Sequence, residues 1–122
     1  MSKNLRVGDY IVYNGHNERI TDVNAERVLC GITINVRLED VKTPKLTEQF
    51  FKMNDFHYER KDGVDTYLLG SGETFILAHK NEKFFMVAIK NKVYDFSGPF
   101  DDLNELLHAI DVCAINGDWV CD

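Results

Sequence analysis

Residues able to do chemistry are scattered through this 122-residue chain, and their spacing decides how much each can do. Asp101 and Asp102 are adjacent carboxylates, a pair that could serve as general acid and base or hold a magnesium ion. No basic or phosphate-binding motif accompanies them. With Glu105 they stand at the start of an apolar helical stripe, where capping and the helix dipole account for acidic residues better than catalysis does. Gly70-Ser71-Gly72 is the nearest approach to a phosphate loop, but it lacks a third glycine, a following Lys-Ser/Thr and a helix behind it. A hairpin turn is the better reading, and Ser71 lacks the flanking pattern of a nucleophile elbow.

His16, His57, His79 and His108 fall in a turn, a loop, a strand and a helix, none at metal-ligand spacing from a second His or Cys. Cys30, Cys113 and Cys121 are an odd number without a CxxC pair, which argues against a disulfide framework and a zinc site. Cys113 lies on the apolar stripe as a small hydrophobe, and Cys121, near the terminus, can be read as an exposed reactive thiol, although a terminal cysteine is more often incidental. The sequence therefore implies no enzyme, no metal and no cofactor.

The elements that must position these residues are mostly strands. Leu5-Arg6-Val7-Gly8-Asp9-Tyr10-Ile11-Val12-Tyr13 is a β-rich run ending in the turn signal Asn14-Gly15. Arg19–Val23, Arg27–Ile32 and Thr33–Leu38 follow, with Ile32, Ile34, Val36 and Leu38 at the period of a half-buried strand. So many short strands in about 40 residues predict an SH3-like barrel, because a curled sheet leaves no exposed edges. Pro44 breaks the pattern, and Thr47 is placed to cap a two-turn helix anchored by Leu46, Phe50, Phe51 and Met53.

From Thr66 the period returns to two, in runs 66–69, 74–79, 84–89 and 92–96. The run 84–89 is apolar on both faces and is expected to be central and covered on both sides. Leu103, Leu106, Leu107, Ile110, Cys113 and Ala114 form one stripe on a helix that begins after Gly98-Pro99 and stops at Asn116-Gly117. Asp118-Trp119-Val120-Cys121 either adds an edge strand or lays Trp119 across the core. The expected fold class is α+β: an N-terminal SH3-like small β-barrel over 1–43, then 44–122 as a short linking helix and an antiparallel sheet packed by one amphipathic helix, the two sharing one core.

Charge narrows the partners. The composition, 44% hydrophobic and 28% charged, is that of a folded domain, and the net charge is −6. Residues 1–60 balance nine Lys/Arg against nine Asp/Glu, while 61–122 carry five against eleven. Lys92 is the last basic residue, so the C-terminal quarter presents a field of one sign that repels nucleic acid. No apolar run approaches the roughly 20 residues that cross a bilayer, no signal-peptide pattern opens the chain, and the expected location is cytoplasmic.

The 14 aromatic residues exceed what so small a domain must bury, so some are expected to line a partner surface. Tyr10 and Tyr13 fall on opposite faces of their strand by parity, which predicts one in the core and one available beside Arg6, His16 and Arg19.

Three segments resemble small uncharacterised proteins of Bacteroidetes genomes and their phages or prophages. They are Leu5–Tyr13, Pro44–Phe56 with its Pro-Lys-Leu-Thr-Glu-Gln-Phe-Phe helix start, and the leucine-bearing helix Leu103–Ile110. The resemblance implies a mobile-element origin and no activity.

The function expected from these readings is a non-catalytic protein-interaction module that binds and modulates a host protein. Its candidate surfaces are the aromatic and basic set Arg6, Tyr10, Tyr13, His16 and Arg19 and the acidic set Asp101, Asp102 and Glu105. The expected partner is an unidentified protein with a basic surface. Nucleic-acid binding by the barrel is the alternative, and self-association is left open.

Overall fold

The computed structural model describes residues 5–115 and 117–121. It is an α+β fold of three antiparallel sheets and two helices, in two compact units that meet in sequence between Pro44 and Lys45.

In the first unit, β1 (Tyr10–Tyr13) and β2 (His16–Arg19) form a hairpin. Asn14 and Gly15 both take positive φ, 50° and 78°, the left-handed geometry that matches the twist of a two-residue hairpin. β3 (Asp22–Val23), β4 (Arg27–Cys30) and β5 (Ile34–Arg37) form a second sheet. A single 3-10 turn, Leu38–Asp40, returns the chain so that Val12 N–H donates to the Lys42 carbonyl at 2.8 Å. Ile11, Ile20, Val28, Cys30 and Val41 make a small core. No closed barrel forms among the described residues.

Two expectations for this unit change. The opening strand begins at Tyr10, five residues later than the β-rich run begins, because Gly8 takes φ 97° and Asp9 N–H closes a turn onto the Arg6 carbonyl. Ile32 belongs to no strand: Gly31 takes φ 68° after β4, and Ile32 stands wholly exposed at the tip of the β4–β5 loop.

The second unit is a meander of five strands in spatial order β10-β9-β8-β7-β6. They are β6 (His57–Lys61), β7 (Val64–Ser71), β8 (Thr74–Lys80), β9 (Phe85–Asn91) and β10 (Tyr94–Phe100). Gly70 and Ser71 stay in the β7 ladder opposite Phe75 and Thr74, and Gly72-Glu73 makes the turn into β8, so only the last residue of the expected Gly70-Ser71-Gly72 turn lies in it. Gly70 takes φ 85°, and a Cβ there would collide with the Thr74 carbonyl oxygen.

One face of this sheet is a core. Tyr67, Ile76, Ala78, Phe85, Val87 and Ile89 are buried on it, and both helices of the unit pack there. From α1 (Glu48–Met53), Phe51 stacks on Tyr67 with ring centroids 5.1 Å apart and meets Phe85 at 5.0 Å. At the end of α2 (Leu103–Val112), the Cys113 carbonyl accepts from Asn91 Nδ2 at 3.0 Å.

Neither helix covers the opposite face, which carries Leu68, Leu77, Met86 and Ala88, with Met86 43% exposed. Run 84–89 is interior as expected, since β9 lies between β8 and β10. Its Phe85, Val87 and Ile89 side is buried under the helices of this unit, whereas on the other side, also expected to be covered, Ala88 is half-buried and Met86 exposed.

Other boundaries move for local reasons. β10 runs through Gly98-Pro99, where a break was expected, because an edge strand tolerates a residue that cannot donate to a ladder. Thr47 occupies the N-cap of α1 without a side-chain capping bond. α2 ends at Val112 and Ala114 takes φ 57°; of the expected stop Asn116-Gly117, Asn116 lies outside the described residues. Residues 118–121 form no strand, and the Trp119 ring lies 5.9 Å from Phe50 and 6.4 Å from Phe56. Cys121 is buried, which corrects its reading as an exposed thiol.

Candidate functional site

The acidic candidates divide by role. Asp102 sits at the N-cap of α2 with extended backbone, and its Oδ1 accepts from Glu105 N–H at 3.1 Å, satisfying one of the amides that a helix start leaves open. It is a structural cap. Asp101 uses its carbonyl to accept from Leu46 N–H at 2.8 Å, which leaves its carboxylate exposed.

Glu105 and Asp111 are exposed along α2, with Val112 70% exposed beside them. Leu103, Leu106 and Ile110 hold the opposite side of the helix in the core. Burial of the leucine stripe thus fixes which carboxylates face water. The result is an acidic outer face with one apolar residue in it.

The aromatic and basic candidates lie on the first hairpin. Tyr10 stands directly across from Arg19, and Tyr13 from His16. Tyr13 is 37% exposed and Tyr10 is half-buried, so neither enters the core as the parity argument expected of one of them. Ile11 fills that place instead.

Arg6 has a structural task although its side chain is about half exposed. Its backbone N–H donates to Asp9 Oδ2 at 3.1 Å, its Nε lies 3.7 Å from Asp9 Oδ1, and Asp9 is buried. A guanidinium nitrogen of Arg19 lies 3.8 Å from where a Cβ on Gly8 would stand. Tyr13 and His16 therefore form one exposed pair, and Arg6 is tied to the turn before β1.

A third site was not anticipated. Tyr67, fully buried on β7, donates from its hydroxyl to Glu48 Oε2 at 2.6 Å, and Lys80 Nζ on β8 donates to Glu48 Oε1 at 2.9 Å. The hydrogen bonds from Tyr67 and Lys80 hold the Glu48 carboxyl below its ordinary range. Burial and the Glu48 carboxylate push the Tyr67 hydroxyl well up. The hydrogen bond to Glu48 also raises Lys80. A tyrosine so held keeps its proton and is a poor acid. The network fastens α1 to the sheet, and its only signal in the sequence is an acidic residue in the first turn of a short helix.

Two of the thiols are held toward their protonated form. Burial, then Glu18, raises Cys30, and burial, then Asp95, raises Cys113. No group of three or more His, Cys, Asp or Glu side chains is placed to hold a metal among the described residues. No described helix is long and apolar enough to cross a membrane.

Comparison with family models, curated proteins and solved structures finds no match to this chain.

Proposed function

We propose that the chain is a non-catalytic protein-interaction module whose acidic α2 face meets a basic surface on a partner protein. One observation carries the reading: after Lys92 the sequence has seven carboxylates and no Lys or Arg, and Asp101, Glu105, Asp111 and Asp118 are exposed. A field of one sign speeds encounter with an oppositely charged patch, and Val112 supplies an apolar anchor within it.

The test is paired capture from a lysate of the encoding cell. The bait is either the intact chain or an Asp101→Asn, Glu105→Gln, Asp111→Asn variant that keeps the Asp102 cap. A protein held by the first, lost from the second and released as salt rises is the expected result. Equal capture by both baits rejects the acidic face.

Nucleic-acid binding by the first unit is the second reading. An SH3-like arrangement is supported there by the strand order and by the 3-10 turn that precedes the return of Lys42 to Val12. The cations speak against it. Arg6 faces Asp9, Arg37 lies 3.6 Å from Glu39, and Arg27 donates to Asn35 at 3.0 Å, so three guanidiniums already have protein partners. A gel shift that weakens steeply with salt would favour this reading, because phosphate contacts release counterions.

A further inference from the structure

Between α1 and the turn joining β8 to β9 lies a recess of about 420 Å³, open to solvent. Three ammonium groups line it, Lys52, Lys80 and Lys83, against two carboxylates, Glu48 and Glu82. In a chain of net charge −6, this cluster is positive by one.

The charges are not equivalent. Lys80 and Glu48 are in direct contact at 2.9 Å and neutralise each other, and Tyr67 holds Glu48 from beneath. Lys52 and Lys83, both exposed, form no direct ion pair among the described residues, although Lys52 also acts on Glu48 through space, and with Glu82 they leave the recess one positive charge in excess. The remaining wall combines the amides of Gln49 and Asn81 with Leu46, Phe84 and Phe85.

We propose that this recess binds a carboxylate carried on a short apolar stem. The charge excess fits a monoanion, and a dianionic phosphate would leave the site negative. The amides offer hydrogen-bond donors to the second carboxylate oxygen, and Phe84 in the lining offers apolar surface for methylene groups. A glutamate side chain of a partner protein and a free short-chain acid share this chemistry. The site is independent of the acidic α2 face, so either can fail alone.

The test is an NMR titration of the full chain, following the lysine side chains and the Asn81 amide. The probes are acetyl-glutamate amide, butyrate, acetyl-glutamine amide and inorganic phosphate. Saturable shifts at Lys52, Lys83 and Asn81 with the glutamate probe, and none with the neutral glutamine probe, are expected.

A response to butyrate as well identifies the free acid as sufficient; a response to the glutamate probe alone identifies a peptide ligand. Both exposed lysines can be changed to Met without touching the core. Each change is expected to weaken binding by roughly two- to fivefold, the range of a solvent-exposed ion pair. Linear, unsaturated shifts, an equal response to the neutral probe, tighter binding of phosphate, or full affinity in the Lys52→Met, Lys83→Met variant would each overturn the assignment.

Discussion

Phe51→Ala is expected to destabilise the second unit by about 3–5 kcal/mol, the range for truncating a buried Phe. Phe51 has no exposed surface and is the hub of the aromatic core. Its ring meets Phe56 and Phe85 at 5.0 Å, Tyr67 at 5.1 Å and Phe50 at 5.4 Å. Truncation removes apolar area and leaves a cavity between α1 and the sheet, which rigid neighbours fill poorly. The loss is a large part of the roughly 5–15 kcal/mol that holds a typical domain. Trp119 is the one tryptophan and lies against Phe50, so its fluorescence reports the unit that Phe51 supports. Chemical denaturation should show a midpoint far below that of the intact chain; an unchanged midpoint would remove Phe51 from the centre of the core.

Removing the Glu48 carboxylate is expected to have the next largest effect. Glu48→Ala leaves the buried Tyr67 hydroxyl without its acceptor, at a cost of about 1–3 kcal/mol, the desolvation of an unsatisfied polar group. Tyr67→Phe removes the donor instead and should cost only about 1 kcal/mol, the net worth of an ordinary hydrogen bond. The double variant should then lose less than the two single losses added, because no orphaned hydroxyl remains.

The same network sets a pH dependence of known sign. The Glu48 carboxyl is lowered in the fold, so its contribution is present above the ordinary carboxylate value and is lost as pH falls through the lowered one. Tyr67 and Lys80 are raised, so their contributions are present below their ordinary values and fade as pH rises toward the raised ones. Denaturation midpoints of the intact chain should fall at both extremes. In Glu48→Ala the acid-side fall should be shallower.

The parts of this fold legible in the sequence were those whose signal is local. Asn14-Gly15 turned where such a pair must, and the i, i+3, i+4 leucines placed the buried side of α2, with Asp102 at its cap. β6 was missed because His57-Tyr58-Glu59-Arg60-Lys61 has no apolar alternation. Every residue of this edge strand is exposed, and no burial pattern forms. Asp62-Gly63, with φ 52° and 77°, was the available signal for that hairpin.

The Tyr67–Glu48–Lys80 network could not be read from spacing. Tyr67 and Lys80 lie 19 and 32 residues from Glu48, and only the pairing of β7 with β8 and the docking of α1 bring them together. The acidic surface was legible as composition, whereas its division into one cap and several exposed carboxylates needed the helix to be placed.

The central claim is that the α2 face carries partner binding, and carboxylate footprinting tests it most directly. Carbodiimide labelling of the chain, alone and in complex with the captured partner, should show Asp101, Glu105 and Asp111 protected in the complex and Asp22 and Glu26 unchanged. Full labelling of the three α2 carboxylates in a complex that remains intact would contradict it.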